Sequence, residues 1–434
     1  MRTGLSRRTF ASLLGLGSVW PFAASFGAGP DANPNASPDA DPASNAAQKN
    51  FRIRTITAGV HLSGASNLDP AKAAVAFLHQ ARSRFEAEGY EVQTLRLATQ
   101  PLESYLPDWT DPASLAAIKD LDQFAVDNQV SCSIGPVITA DQYHQGFAAW
   151  AAELVQQTNN ISFSCQVASA ASGVHFNALR CAAEAIHAIS RATPGGEGNF
   201  RFAAAAFIPS GTPFFPVAWF DQGMAFSIGL ETPNLLTAAF AGRKDFNDAK
   251  QRLKASMESA LGPAAALASE LAQSAGWNYL GIDTSPAPGL DASIGRAIET
   301  LTQVPFGSPS TLAACAAITD VLKGLSIKTC GYSGLMLPVL EDPVLAQRAN
   351  EGRYGISELL LFSNVCGTGL DVVPLPGDAT VDELAAVISD VAALATKYHK
   401  PLSARLFPAP GKKAGDKVRF DNPHLTECVV MALG

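Results

Sequence analysis

The chain has 434 residues, of which 47% are hydrophobic and 16% are charged, and its formal net charge is −8. This acidic balance argues against nucleic acid and against anionic membrane surfaces as partners, because both require a basic face on the protein. The seven cysteines include no CxxC pair, so neither a zinc site nor an iron–sulfur cluster is indicated.

Residues 1–28 are typical of a twin-arginine signal peptide. Arg7 and Arg8 precede an apolar run from Ala11 to Phe26, and this run is shorter than the roughly 20 apolar residues that span a bilayer as a helix. We expect cleavage near Ser25 or Ala28, after which the folded protein, carried by the twin-arginine translocase, keeps no stable membrane anchor. The expected location is the periplasm or the medium, and an uncleaved anchor is the alternative.

Residues 29–50 are rich in Pro, Asp, Asn and Ala and contain almost no large apolar side chains. Such a segment cannot bury enough surface to offset the entropy that ordering costs, which predicts a disordered linker. The folded body therefore runs over 51–434. This length suits a single large domain or two closely joined ones. We expect a single domain, because no change of composition divides the body.

Strand-like and helix-like patterns alternate along this body. Period-two alternation, β-branched residues and short apolar runs predict strands at 51–60, 91–98, 130–138, 161–167, 200–207, 225–230, 278–282, 325–329, 358–363 and 402–406, with a final run at 426–433. Helical spacing predicts helices at 69–89, 111–127, 143–158, 177–192, 245–275, 291–301, 310–322, 343–351 and 381–398. This alternation is typical of an α/β fold with a largely parallel sheet or a barrel.

The Gly-rich segment after the expected strand 358–363 is the first candidate site, because ligands of parallel α/β folds bind where strands end. Cys366 is either a nucleophile or a buried thiol. Gly367 and Gly369 would expose amides that stabilise negative charge, and Asp371 would accept a proton or hold a cation. The alternative is a Gly-rich turn that only connects two elements.

Two further strand ends carry charged candidates. Asp283 follows the expected strand 278–282 and suits a general base or a metal ligand, with an Asx-turn as the alternative. Arg405 lies on the strand 402–406 and would grip a carboxylate or a phosphate.

The remaining candidates are ligand-binding groups in short loops. Ser333 and Gly334 belong to a turn that would expose a hydroxyl or donate amides. Lys412 and Lys413 lie in a polar turn, and His61 ends the first strand. Each also fits an ordinary structural role. The chain contains no P-loop, HExxH or GxSxG motif that would name a reaction.

Five blocks in order along the chain resemble an uncharacterised family catalogued as domain of unknown function 711. The blocks read FRIRTITAGVHL, GIDTSPAPGLDASIGRAIE, CGYSGLMLPVLED, NVCGTGLDVVPLPGD and RLFPAPGKKAGD, and the resemblance covers the body 51–434. It implies a ten-stranded α/β barrel like that of pyruvate formate-lyase. It implies no activity, and glycyl-radical chemistry is not expected, since the final strand reads ARLFPAPG without an Arg-Val-x-Gly-Tyr-like loop.

The leading hypothesis is an enzyme of the hydrolase or lyase type that acts on a small polar or anionic molecule inside the barrel. Its expected catalytic residues are Cys366, Asp371, Asp283 and Arg405. The alternative is a periplasmic small-molecule-binding protein, or a scaffold, without catalysis. The cofactor and the oligomeric state stay open at this point, although carboxylates at strand ends would suit a divalent metal ion.

Overall fold

A computed structural model of the chain describes residues 49–64 and 67–433. The expected signal peptide and all but the last two residues of the expected linker lie outside these ranges. No helix within the ranges combines the length and the apolar character that a membrane crossing requires. All seven cysteines are free thiols.

The residues after 46 form one compact unit with a mixed α/β fold. The strands are β1 (Arg52–Val60), β2 (Val92–Thr99), β3 (Ser131–Ile138), β4 (Ile161–Ser169), β5 (Gly173–Val174), β6 (Phe202–Ala206), β7 (Ala225–Glu231), β8 (Asn278–Pro286), β9 (Gly369–Pro376), β10 (Leu402–Ala409), β11 (Lys417–Val418) and β12 (Cys428–Val429). The helices are α1 (Asp69–Ala87), α2 (Pro112–Asp127), α3 (Phe147–Gln157), α4 (Phe176–Ala192), α5 (Pro233–Phe240), α6 (Phe246–Ala275), α7 (Ile294–Thr302), α8 (Thr311–Lys323), α9 (Pro343–Asn350), α10 (Ile356–Ser363) and α11 (Val381–Tyr398). The expected α/β class is therefore confirmed.

One large, mostly parallel sheet organises the molecule. Its strand order is β8-β7-β1-β2-β3-β4-β6-β10-β9, with the short β5 paired to β4. The five strands from β1 to β6 in this order are parallel to one another. The outer pairs β7–β8 and β10–β9 are each parallel internally but run antiparallel to that central block. The central strands therefore begin at the end of the sheet where the outer strands finish.

A segment between α8 and α9 touches both outer strands of the sheet. Thr329 forms a parallel bridge with Ile282 of β8, and Pro338 forms a parallel bridge with Asp371 of β9. The segment 329–338 thus contacts the two strands that stand at opposite ends of the strand order.

The two faces of the sheet differ in chemistry. Side chains on one face are large and apolar and form the main core with the helices, as Ile56, Leu95 and Phe163 do. The alternate residues on the other face are mostly small or polar: Thr55, Thr57, Ala98, Ser133, Ser164, Ala203, Ala205, Ser227, Gly229, Ser285 and Ser403. We call this second face the inner face. It has little bulk of its own, so another part of the chain must fill the space in front of it.

The long connection 207–224 between β6 and β7 fills that space. Thr57 on the inner face donates a hydrogen bond to the carbonyl of Pro213 (2.9 Å), and Ser133 donates to the carbonyl of Ala218 (2.7 Å). A Cβ atom on Gly59 would lie only 2.5 Å from the ring of Phe220. The small residues of the inner face are therefore needed for close packing of this loop.

Two of the expected strands are wrong. The run 358–363 is helix α10, which begins after Gly355, whose amide donates to the Glu358 side chain (2.8 Å) and so caps the first turn. A short apolar run does not distinguish a buried strand from a buried helix by its periodicity. The expected strand 325–329 is irregular apart from the bridge at Thr329.

A strand was expected at 358–363, and the structure places a strand in the following segment instead. Much of the expected Gly-rich loop is β9, in which apolar and β-branched residues of the run LDVVPLP pair with β10. Asp371 consequently lies within a strand of the sheet, not in a mobile loop.

Candidate functional site

Charged side chains converge on the inner face, at the end of the sheet where β1 begins and β7 ends. The group consists of three arginines and three carboxylates, and we call it the charged cluster. Its members are Arg54, Arg96, Glu231, Glu341, Asp371 and Arg405. They come from five strands and from the segment after the Pro338 bridge. Charged groups on the interior side of a sheet are expensive to bury, and such clusters are typical of binding or catalytic sites.

Arg405 on β10 is held by two carboxylates. Its Nε donates to Asp371 Oδ1 (2.7 Å) and its Nη2 donates to Glu341 Oε1 (2.8 Å), while the guanidinium lies 4.9 Å from the ring centroid of Phe200. Burial lowers the pKa of Arg405, but the two acidic partners outweigh burial and raise it above its ordinary value. Arg405 is therefore a fixed cation whose charge is already matched by two carboxylates.

Burial raises the pKa of Asp371, and the positive charge of Arg405 opposes that rise only in part. The carboxyl group of Asp371 thus takes up a proton more readily than an exposed aspartate does. A carboxyl group with a raised pKa is a candidate for accepting and returning a proton.

Glu231, the last residue of β7, anchors a second group of charges. Its Oε2 accepts from Gln93 Nε2 (3.0 Å) and lies 3.4 Å from Arg54 Nη1, and its Oε1 accepts from Arg52. Arg52 also binds Asp291, with a Nη1–Oδ1 distance of 2.8 Å. A register shift in β1 next to Arg54 lets that side chain join the same face as the residue that follows it.

Arg96 differs from the other two arginines of the charged cluster. It lies on β2 between the buried residues Leu95 and Leu97. Its guanidinium is 4.8 Å from the ring centroid of Phe215 in the connection 207–224. Within the described ranges Arg96 makes no hydrogen bond and no ion pair. Burial and the charge of Arg54 lower its pKa to about 9. Arg96 is therefore a cation without its own counterion, held against an aromatic ring.

His424 stands near the charged cluster. Partial burial and the positive charge of Arg54 lower its pKa from the ordinary value of 6.5. Its backbone amide donates to Asn422 Oδ1 (2.9 Å) and holds the turn that carries it.

Asp283 is fully buried on β8 and organises a neighbouring turn. It accepts hydrogen bonds from the amides of Tyr332 (2.8 Å) and Ser333 (2.9 Å), and from both the amide and the hydroxyl of Ser285. Burial raises its pKa and these hydrogen bonds oppose the rise. A Cβ on Gly331 would lie 2.1 Å from Asp283 Oδ2, which explains a glycine there. Asp283 thus positions the turn, and the structure gives it no direct contact with the charged cluster.

The turn that Asp283 holds does reach the cluster through one side chain. The hydroxyl of Tyr332 donates to Ser403 Oγ (2.9 Å), and Ser403 precedes Arg405 by two residues on the same face of β10. Ser333 turns inward and donates to the carbonyl of Cys330 (2.8 Å). Tyr332 therefore connects the buried carboxylate of β8 with the strand that carries Arg405.

Cys366 is buried in the main apolar core and lies apart from the charged cluster. Its carbonyl accepts a hydrogen bond from Lys400 Nζ (3.0 Å). The amide of Gly367 donates to the carbonyl of Leu335 (3.0 Å), and the Cα atoms of Gly367 and Gly334 are in direct contact. These glycines serve a close backbone crossing, and the amide of Gly367 is already used.

The other expected binding residues lie elsewhere. Gly369 has a positive φ of 89°, and a Cβ there would lie 2.3 Å from the carbonyl oxygen of Ser403, so it permits the pairing of β9 with β10. Lys412 and Lys413 are exposed in the turn after β10. His61 is exposed after the last residue of β1, at the opposite end of that strand from Arg54. The structure does not bring Lys412, Lys413 or His61 together with Asp371 and Arg405, whereas Gly369 lies two residues before Asp371 on the same strand.

Four members of the charged cluster escaped the sequence-based selection: Arg54, Arg96, Glu231 and Glu341. The usable signal was the pattern of alternate residues in the strands. An arginine in place of a small or hydroxyl residue interrupts the inner-face pattern in RIRTITAGV, in LRLAT and in SARLF. Attention to loops at strand ends missed Arg54, Arg96 and Glu231 because they lie within strands, and it missed Glu341 because that residue follows an isolated bridge and not a strand.

In the described ranges no group of three or more His, Cys, Asp and Glu side chains is arranged to hold a metal ion. A surface groove with a volume of about 430 Å³ lies between α9, α10 and the C-terminal segment, and its lining residues include no member of the charged cluster.

Sequence comparison agrees with the resemblance in the five blocks. The family model described as "Uncharacterised ACR (DUF711)" matches residues 46–421. UPF0210 proteins from Pyrobaculum islandicum and Pyrobaculum arsenaticum are 32% and 30% identical over 350 residues, and each match covers 76% of both chains. A UPF0210 protein from Desulforudis audaxviator is 27% identical over 405 residues, which cover 86% of this chain and 89% of the relative. The family match includes the whole charged cluster and stops short of His424.

Proposed function

The chain belongs to the DUF711 family of uncharacterised proteins, and from that premise we propose that it is an enzyme of the hydrolase or lyase type acting on a small anionic molecule. The proposed site is the charged cluster. The observation that carries the proposal is Arg96, a cation on the inner face without a hydrogen-bond or ion-pair partner in the described ranges. A guanidinium in such surroundings gains most from an anionic ligand, which supplies the missing counterion.

The geometry of Arg96 supports recognition of an anion by its edge. The guanidinium lies over the ring of Phe215, 4.8 Å from its centroid, and its N–H groups lie in the guanidinium plane. A carboxylate or a phosphate that meets the edge can accept two parallel hydrogen bonds.

Proton transfer is assigned to Asp371, with Arg405 as its positioning residue. Hydrolysis and elimination both need a group that takes a proton and later returns it. Asp371 has the raised pKa that suits this role, and the 2.7 Å hydrogen bond from Arg405 Nε fixes its orientation. Asp283 and Cys366 have no direct part in this scheme, since one shapes the turn at Tyr332 and the other belongs to the apolar core.

We propose further that the sheet closes into a ten-stranded barrel that resembles the pyruvate formate-lyase barrel. Two observations support this: the segment 329–338 bridges to both β8 and β9, and the inner face is small, polar and filled by the loop 207–224. In a closed barrel the charged cluster would stand at the mouth formed by the ends of the four outer strands.

Export through the twin-arginine pathway is a separate proposal that rests on the sequence of residues 1–28. The double variant R7K/R8K should keep the protein in the cytoplasm, whereas the unchanged chain should be recovered from the periplasm or the medium. Cell fractionation followed by immunoblotting measures this. Equal distribution of both chains would remove export from the proposal.

The enzyme proposal is tested by incubating the protein with a mixture of small anionic metabolites and following the mixture by mass spectrometry. The unchanged protein should deplete at least one anion and form a product. R96M should lose this activity through weaker binding, and D371N should lose it while still binding the anion. R84M is the matched control, because Arg84 is exposed on α1 and remote from the cluster.

Each variant must first show a folded far-UV spectrum and a cooperative thermal transition. Turnover that survives in both R96M and D371N would remove the charged cluster as the site. An anion that is bound by the unchanged protein but recovered chemically intact would show a binding protein and overturn the assignment of catalysis.

A further inference from the structure

The charges of the cluster are balanced in number but not in pairing. Three guanidinium groups face three carboxylates, so the cluster has no net charge before a ligand binds. Arg405 donates a hydrogen bond to one oxygen of each of two carboxylates, and Arg54 forms an ion pair with Glu231. Arg96 is left without a partner, so an equal amount of negative charge is left incompletely compensated elsewhere in the cluster.

Glu341 is where that negative charge is accessible. Its Oε1 accepts from Arg405, and within the described ranges its Oε2 has no hydrogen-bond donor. The side chain is 12% exposed, so the free oxygen is not sealed in the core. Glu341 is close enough to Arg96 for its charge to raise the pKa of that residue, yet the two form no ion pair. Within the described ranges, a cation and an acceptor oxygen of the same cluster thus both lack a partner, and they do not pair with each other.

We propose that the ligand of this site is a zwitterion, a free α-amino acid or a close analogue, whose carboxylate binds Arg96 and whose ammonium group binds Glu341. This inference deepens the proposed function and rests on its anion site at Arg96. The two charged groups of an α-amino acid are carried by adjacent carbon atoms. Two hydrogen bonds of about 2.8 Å, one at each end, let such a ligand bridge a cation and an acceptor that do not touch.

Charge balance favours a zwitterion over a phosphate or a dicarboxylate. A zwitterion supplies one positive and one negative charge, so the cluster stays neutral and both unpaired groups gain a partner. A dianion would leave one charge without a counterion beside Glu341 and Asp371, and like charges that are poorly solvated repel strongly. The same repulsion acts on the second charge of a dicarboxylate.

Matched ligands test this inference directly. Each of the twenty L-amino acids is titrated into the unchanged protein by calorimetry, and each one that binds is compared with its deaminated carboxylic acid and its decarboxylated amine. We expect binding of at least one amino acid. Removal of either charged group from the ligand should weaken binding about tenfold or more, because each group makes a charge-assisted hydrogen bond.

The variants separate the two ends of the ligand. E341Q keeps the shape of the side chain but not its charge. It should therefore lose affinity for the amino acid about tenfold or more, while binding the deaminated acid at least as well as before. R96M should bind neither ligand, and R96K should recover only part of the affinity because lysine lacks the planar fork. E270Q, at an exposed position of α6, is the control and should bind like the unchanged protein.

The outcomes distinguish this inference from the proposed function. If no amino acid binds, or if deaminated acids bind as tightly as amino acids and E341Q changes nothing, the zwitterion is excluded. Loss of anion binding in R96M would then still support the anion site. If R96M binds every anion as the unchanged protein does, the proposed function fails together with this inference.

Discussion

At the scale of single residues, burial of a charge has two different outcomes in this protein. Asp342 is fully buried and accepts hydrogen bonds from Ser293 Oγ (2.7 Å) and from the amides of Ile294 (2.6 Å), Val344 (2.9 Å) and Leu345 (3.0 Å). One carboxylate thus caps the first turns of both α7 and α9. Arg96 is half-buried but lacks such partners in the described ranges, and this contrast separates a charge with built-in hydrogen-bond partners from one without them.

Replacement of Asp342 by alanine should lower the free energy of unfolding by about 3 kcal/mol, because two helix N-termini lose their acceptor at once. D342N keeps one acceptor oxygen and should lose less. Urea denaturation followed by circular dichroism measures both. A loss below about 1 kcal/mol in D342A would show that water replaces the carboxylate at little cost.

His424 gives a prediction about pH. Burial and Arg54 lower its pKa below the 6.5 of an unfolded chain, so the unfolded state binds more protons in the window just below that value. The stability contributed by the neutral ring is therefore present above pH 6.5 and is lost as pH falls through its folded pKa. Denaturation at about pH 7 and about pH 5 should show a smaller difference for H424Q than for the unchanged protein. An identical difference would contradict the assignment.

At the scale of elements, most helices and strands were predictable to within a few residues, because their apolar periodicity is strong. The helix at Val381–Tyr398 agrees at both ends, since Thr380 and Glu383 form a capping box that the sequence displays. The structure has a helix at 356–363, where a strand was expected, and a strand at 369–376, where a loop was expected. Periodicity could not predict this difference. The run ELLLFS is apolar on nearly every position, and its helical state depends on the cap at Gly355 and on the contacts of its C-terminal end.

Lys400 supplies those C-terminal contacts for α10. Its Nζ donates to the carbonyls of Ser363, Asn364 (2.8 Å) and Cys366 (3.0 Å). K400M should lower the free energy of unfolding by about 2 kcal/mol, since three buried or half-buried acceptors lose their donor. It should also speed amide hydrogen exchange in α10, which mass spectrometry measures.

The matched control for this experiment is K397M, because Lys397 is exposed on the preceding turn of α11. Equal exchange rates for α10 in K400M and K397M would mean that Lys400 is not what holds the end of that helix.

At the scale of the whole molecule, the parallel α/β class was predictable but the strand order was not. Order depends on contacts between residues far apart in the chain, such as the pairing of Arg52 in β1 with Glu231 in β7. The site depended on the same information. Asp371 and Arg405 were recognisable as charged residues beside strands, but their meeting with Arg96 and Glu341 follows only from the arrangement of five strands.

The proposed closure of the sheet makes a prediction for the crossing of Gly334 and Gly367. A Cβ on Gly367 would lie 2.3 Å from the Cα of Gly334, so G367A must push the segment 329–338 away from β9. If this segment closes a barrel, amide exchange should rise in β8 and β9 together. G262A is the control, because a Cβ at Gly262 in α6 meets no atom within 4 Å. A rise confined to β9 would contradict closure.

The position of β6 in the sheet has a consequence for synthesis on the ribosome. Its residue Ala206 pairs with Leu402 of β10, a strand that is translated near the very end of the chain. At roughly 5 to 20 residues per second, the edge of β6 stays open for about 10 to 40 seconds after it is made. An unpaired strand edge invites pairing with other chains. The nascent polypeptide, more than the finished protein, is therefore the form exposed to edge-to-edge aggregation.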